Sequence, residues 1–186
     1  MEEPTITVGI CDGYRSIRGR MNGRYRPNGC FLTGEFTARP EGGAVIVGDG
    51  AGREILRGAE IRLAAEGDAT FTLYDVTIGL RFHWERREAQ TFAGNLILRV
   101  AGEGELTAIN ELPLEAYLAS VVSSEMSGEA PAEFLKAHAI ASRSWLVAML
   151  RRKGRQGVKG GAPAETIRRD GEIVRWYDRE DHDRFD

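Results

Sequence analysis

A single carboxylate interrupts a run of apolar and small residues in VVSSEMSGEAPAEFLKAH, residues 121–138. Glu125 follows two valines and two serines and precedes Met126. At a break between two helices its side chain could project into a cleft and act as a catalytic acid. Val121, Val122 and Met126 would lower the local dielectric and disfavour the ionised carboxylate. A helix-capping or solvent-facing glutamate fits the same letters, and pattern alone favours that plainer reading. Arg143, in ASRSW, is a guanidinium among small and apolar residues, so it must find a carboxylate, a set of carbonyls or a ligand. Structural pairing and substrate contact fit it equally well. His83 and Glu85, in FHWERRE, are two positions apart and would share one face of a strand, where a proton or a metal could lie between them. A hydrogen-bonded histidine beside surface charges is the simpler account. His138, between Ala137 and Ala139, has the setting of a satisfied core histidine and is assigned no chemistry. The glycines of GDGAG, residues 48–52, lack the spacing of a dinucleotide fingerprint and precede a strand-like segment, so they mark a turn.

Two kinds of element must position these side chains. Up to about residue 110, short segments of alternating apolar and polar residues are separated by Gly and Asp: ITVGIC, GCFLTGEFTARP, AVIVGDGAG, EIRLAAEGD, FTLYDVTIGLRFHW, TFAGNLILRV and ELTAIN. They read as the strands of a β-rich lobe. The period changes at Leu112. Pro113 suits a first helical turn, and Leu114, Tyr117, Leu118 and Val121 recur at helical spacing to a stop near Val122. A longer helix is expected from about Pro131 to Gly154, with Leu135, Ala139, Ser142, Leu146 and Met149 on one face and Phe134, His138, Ala141 and Trp145 on the next. So wide an apolar stripe predicts a helix sunk between other elements. RRKGRQGVKGGAPA, residues 151–164, reads as a solvated basic loop, and Asp170-Gly171 between ETIRR and EIVRWYD signals a hairpin. The fold class expected is α+β: a β-rich N-terminal lobe of short antiparallel strands, a short helix, a long buried helix and a C-terminal hairpin.

Composition narrows the function classes. The chain has 186 residues, 42% of them hydrophobic, and a formal net charge of −3. That length supports a proper core, and the absence of a basic excess argues against nucleic acid as a partner. Cys11 and Cys30 are not spaced as a zinc or redox pair, so two buried thiols are expected rather than a disulfide. No apolar run approaches the ~20 residues of a transmembrane helix, and MEEPTITVGI does not read as a signal peptide. The compartment cannot be read from targeting signals.

The segment NELPLEAYLASVVSSEMSGEAPAEFLKAHAIASRSW resembles the stage II sporulation protein D family. That family carries a motif like E-x-Y-L-x-x-V-V-x-S-E-M and then a helix of the form L-K-A-x-A-x-x-x-R. Glu115, Tyr117, Leu118, Val121, Val122, Ser124, Glu125 and Met126 fall on the first part, and Leu135, Lys136, Ala137, Ala139 and Arg143 on the second. The upstream stretch beginning ITVGI is similar to the family's opening. The resemblance implies a single domain over residues 1–186, with a β-rich lobe at 1–110, a catalytic helix pair at 111–154 and a loop and hairpin at 155–186.

It further implies action on bacterial peptidoglycan, as a lytic transglycosylase or an amidase enhancer, with Glu125 as the catalytic acid. Arg143 and Ser124 become candidate substrate-binding or orienting residues. The implied partners are peptidoglycan glycan strands and, alternatively, a cell-wall amidase. The implied location is the cell envelope, outside the cytoplasm. A non-catalytic module that binds cell-wall glycan or enhances an amidase is the rival reading. Some members also carry a segment like H-x-x-x-x-x-C-x-x-x-x-H-C that binds zinc. His182 fits its first position, but the remaining ligands are absent, so no cofactor is required and zinc would need residues beyond this chain. A zinc-dependent hydrolase built from His83, Glu85 and His182 is a third and weaker alternative. The chain is therefore expected to be a version incomplete at its C-terminus.

Overall fold

The computed structural model describes residues 3–27, 31–78, 83, 85–126 and 129–156. The architecture is α+β and mostly β, with ten strands and two helices among the described residues. Contacts divide the chain into two compact units, Thr5–Leu112 and the first four residues together with those from Pro113 onward.

The first unit contains β1 (Thr5–Tyr14), β2 (Ile17–Arg26), β3 (Leu32–Glu41), β4 (Ala44–Asp49), β5 (Glu54–Gly58), β6 (Glu60–Ala65), β7 (Thr70–Ile78), β8 (Arg86–Ala93), β9 (Asn95–Gly102) and nearly all of β10 (Glu105–Pro113). The strand order is β1-β10-β9-β6-β2-β3-β4-β5, with β7 paired to both β2 and β8. Eight of these strands send side chains into one apolar cluster, in which Tyr25, Phe36, Phe71 and Leu98 are almost wholly buried. Strands far apart in the pairing order can share one cluster only if the sheet curls around it. Tyr14 of β1 accordingly reaches β7, its hydroxyl 2.8 Å from Thr77 Oγ1 and accepting from the Thr77 N–H at 3.0 Å.

Two stretches differ from the sequence expectation. The β2 segment, IRGRMNGRYR, is rich in Arg and Gly and carries few strand formers. It is nevertheless a strand, because Ile17, Gly19, Met21 and Tyr25 face inward while the intervening arginines stay in water. Arg18 and Arg20 take Asp75 at 2.7 Å and Glu35 at 3.4 Å. The expected segment TFAGNLILRV is two strands, β8 and β9, divided at Gly94. There φ is +91°, and an added Cβ would stand 2.6 Å from the Glu111 carbonyl oxygen. Tyr25 donates to the Gly94 carbonyl at 3.0 Å, and Asn110 donates to the Ala93 and Asn95 carbonyls at 2.8 and 3.1 Å. Burial pushes the Tyr25 phenol well above its ordinary range, so it stays neutral. β5 is the strand expected after the GDGAG segment. That segment is a turn, as expected: Asp49 Oδ1 accepts from the Ala51 and Arg53 N–H groups at 2.9 and 3.0 Å.

His83 and Glu85 do not share a strand face. β7 ends at Ile78 and β8 begins at Arg86, so both lie in the connection between them, and both are exposed.

The second unit carries α1 (Leu114–Glu125) and α2 (Ala132–Gln156). Pro113 is the residue flanking α1 rather than its first turn, and it offers no side chain to the free N–H groups. These find acceptors from the other end of the sequence: Leu114 N–H donates to the Pro4 carbonyl at 3.0 Å, and Glu115 N–H to Glu3 Oε1 at 2.8 Å. α1 runs three residues past the expected stop at Val122, so Glu125 lies in its last turn and not in the break. α2 continues through Gln156, taking in the start of the segment read as a loop. Nor is α2 sunk on all sides. Ser142 and Leu146 are buried, but Phe134 is 50% and Ile140 61% exposed. Its apolar residues therefore serve one inward stripe and leave an outer face to water. The hairpin expected around Asp170-Gly171 lies outside the described residues.

Gly19 is fixed by close approach. A Cβ there would collide with the Thr72 carbonyl oxygen and come within 2.9 Å of the Phe36 ring. Gly19→Ala should therefore destabilise the protein by roughly 1–3 kcal/mol, the usual scale of overpacking. Urea unfolding would show this as a lower midpoint with an unchanged slope.

Candidate functional site

Glu125 continues the buried face of α1. Leu114, Leu118 and Val121 are 2, 3 and 2% exposed. The next member of their spacing, four residues beyond Val121, is the glutamate. A position that would ordinarily hold leucine or valine thus holds a carboxyl group. It also stands at the helix end where unsatisfied carbonyls concentrate negative potential, and no basic residue occupies that last turn. A carboxylate charge is unfavourable there unless a donor meets it.

The donor comes from α2. Its inward stripe contains Leu135, Ala139, Ser142 and Leu146, and His138 lies beside Ala139 on that stripe. His138 Nε2 is 2.9 Å from Glu125 Oε2, with the two side chains only 16% and 19% exposed. The other ring nitrogen, Nδ1, is buried and has no hydrogen-bond partner among the described residues. His138 is thus not the carbonyl-satisfied core histidine that its alanine neighbours suggest; it is the companion of Glu125.

Residues of both helices line a groove of about 370 Å³. That volume is at the lower end of the range for small-ligand sites. Val122, Met126, Leu135 and Ala139 give it an apolar surface, Ser123 adds a hydroxyl, and Glu115 and Arg143 supply charge. Val122, Ser123 and Met126 are near neighbours of Glu125 in sequence, but Glu125 and His138 are not among the lining residues. Arg143 points its guanidinium at Glu115, with Nε donating to Oε1 at 2.7 Å and the terminal nitrogen to Oε2 at 2.5 Å. This two-pronged fork fixes both side chains while leaving each about half exposed. Structural pairing, one of the two readings of Arg143, is therefore realised, and its carboxylate is Glu115 rather than Glu125. Ser124 belongs to the last turn of α1, and its side chain lies outside the described part. His182 also lies outside the described residues, and no cluster of three metal-ligating side chains occurs within them.

Two residues of this arrangement were missed on the sequence, His138 and Glu115. The signal for His138 was available: Glu125 extends an i, i+4, i+7 apolar series, and His138 is one residue from another. What no local spacing supplies is the crossing of the two helices that sets one against the other.

Arg143 holds the Glu115 carboxyl below the ordinary glutamate range through their hydrogen bonds, and Glu115 in turn raises Arg143. A lowered carboxyl pKa means that the charged form favours the folded state. The pair therefore contributes above the ordinary glutamate value, and the contribution is lost as pH falls through the depressed one. Replacing the guanidinium in Arg143→Gln should move the Glu115 titration midpoint upward, toward the unperturbed glutamate value near ~4.3. Carbon-detected NMR of the side-chain carboxyl would follow it directly.

Residues 102–183 match the family model described as Stage II sporulation protein, SpoIID. No curated protein and no solved structure matches the chain. The match covers both helices of the site and supports the stage II sporulation protein D family.

Proposed function

We propose, from this family match and the cell-wall-related role it suggests, that the protein is a lytic transglycosylase of peptidoglycan that uses Glu125 as its single acid and base. One observation carries the reading: a glutamate on the buried stripe of α1, paired with an imidazole from α2, at the position of the family motif's acid. The substrate is a glycan strand with alternating N-acetylmuramic acid and N-acetylglucosamine.

Hydrolysis of such a bond ordinarily takes two carboxyl groups, one to protonate the leaving oxygen and one to activate water or attack the sugar. Lytic cleavage takes one. Glu125, protonated, gives its proton to the oxygen between muramic acid C1 and the next sugar, and the C1–O bond breaks with positive charge developing on the ring. The 6-hydroxyl of the same muramic acid closes onto C1, and the Glu125 carboxylate removes that hydroxyl's proton. The product is a 1,6-anhydro sugar, no water is consumed, and Glu125 regains the proton it gave. Because the nucleophile belongs to the reacting sugar, positioning provides much of the acceleration.

The groove fits a sugar chain better than a wholly apolar ligand. Glu115, held by Arg143, offers acceptors to hydroxyls or an acetamide N–H, while Val122, Met126 and Leu135 can meet the apolar face of a pyranose ring. Action on such strands corresponds to a location outside the cytoplasm, in the cell wall. No helix among the described residues is long and apolar enough to cross a membrane.

Incubation with glycan strands freed of their stem peptides should release fragments ending in 1,6-anhydro-muramic acid, identified by mass spectrometry. Glu125→Gln should reduce that release by about 10²–10⁴-fold, the scale of a lost general acid and base, while glycan binding persists. Turnover unchanged in this variant would remove Glu125 from the mechanism. Binding without any anhydro product from the unaltered chain would instead favour a glycan-binding or amidase-enhancing module.

A further inference from the structure

We propose that His138 is a positioning residue for Glu125, a neutral imidazole whose Nε2–H donates to Glu125 Oε2 and fixes the plane and rotamer of the reacting carboxyl group. The inference rests on the lytic reading above and goes beyond it by giving the single acid a partner on the other helix.

The direction of the hydrogen bond follows from the buried Nδ1. The Nε2···Oε2 distance of 2.9 Å allows either a carboxylate accepting from Nε2–H or a carboxylic acid donating to a bare Nε2. In the second arrangement the imidazole's own proton would lie on Nδ1, which is shielded from water and meets no acceptor among the described residues. A buried N–H without an acceptor carries the full cost of its desolvation. An unpaired lone pair at the same place is the milder defect. The tautomer with the proton on Nε2 is therefore favoured, and Nδ1 stays bare. A doubly protonated imidazolium is opposed for the same reason, since it too would place a hydrogen on Nδ1. His138 thus meets the carboxyl as a neutral donor and not as a cation.

Placement gives this bond its use. Glu125 is the last residue of α1 and is followed by the connection to α2, where a side chain is held by fewer backbone constraints than in mid-helix. A glutamate has three rotatable bonds, and a donor from the neighbouring helix removes much of that freedom. The reacting carboxyl must meet two oxygens in turn, the glycosidic oxygen and the 6-hydroxyl, so a fixed orientation bears on both proton transfers. His138 touches neither oxygen in this scheme; it acts through Glu125.

Two substitutions separate positioning from packing. His138→Leu keeps an apolar side chain of comparable size and removes the donor; it should lower kcat roughly 10- to 100-fold, the scale of a misplaced catalytic group, with KM changed less than twofold and Tm lowered, because the sheltered carboxyl loses a donor. His138→Gln offers an amide N–H of similar reach and should recover most of the lost kcat. Equal kcat in the leucine, glutamine and unaltered proteins would overturn the proposal, as would equal loss in both variants. A second measurement does not depend on turnover. Long-range proton–nitrogen NMR of the full chain should show His138 protonated on Nε2 alone, with that resonance displaced in Glu125→Ala. A proton on Nδ1, or an Nε2 signal indifferent to Glu125→Ala, would refute the contact itself. A chain that shows the tautomer and the displacement but yields no anhydro product would leave the pairing standing and overturn the lytic reading together with its catalytic use.

Discussion

A carboxyl group occupying a site built for an aliphatic side chain is the constraint around which the helical unit is arranged. On α1 the spacing Leu114, Leu118, Val121 creates a demand for another apolar residue, and Glu125 meets it with a group that water solvates far better than protein does. Burying such a group is tolerable only when a hydrogen-bond partner is buried with it. His138 fulfils that condition from α2 at 2.9 Å. The pair thereby ties the choice of residue on one helix to the register of the other. A slide or rotation of α2 that removed His138 would take this donor from the carboxyl group. The crossing of the two helices is thus specified by polarity as well as by shape.

The second polar contact between the helices works under other conditions. Arg143 and Glu115 form a two-pronged fork, yet both remain about half exposed. Water and salt screen such a pair, so its worth lies in orientation more than in stability. It holds a carboxylate and a guanidinium still at the edge of a groove with an otherwise apolar lining. Glu125 and His138 lie deeper, where screening is weak. The site consequently has an exposed polar rim suited to recognition and a sheltered polar pair suited to proton transfer, one helical face apart.

Much of this was visible in the sequence, and its limits have physical causes. Strands with branched and aromatic residues, such as FTLYDVTI and AVIV, announce themselves, because burial and backbone preference agree there. The β2 segment hid its period of two behind arginines and glycines. Arg18 and Arg20 are surface residues of the strand, and Gly19 is small because Thr72 and Phe36 leave no room, so the residues that make it a strand resemble those that make loops. β8 and β9 were merged because one glycine can serve as a turn when a tyrosine and an asparagine hold its flanks, and both of these, Tyr25 and Asn110, are remote in sequence. Glu125 was recognisable as the odd residue in its run, and the family resemblance implied a catalytic role for it. His138 was set aside because a histidine between alanines is usually structural. Only the approach of two helices distinguishes the usual case from this one.

The sealing of α1 at its start reaches into how the protein is made. The acceptors for its first free N–H groups are Glu3 and Pro4, separated from Leu114 and Glu115 by the entire β region. Those residues return to the helix only after β1 and β10 have become neighbours. Once β1 and β10 are paired, the closure over more than a hundred residues is already made, and capping the helix adds little further entropic cost. An ordering of assembly follows, with the sheet maturing first and the acid-bearing helix acquiring its N-terminal cap afterwards. The helix that carries Glu125 would therefore be sealed at its start late in folding.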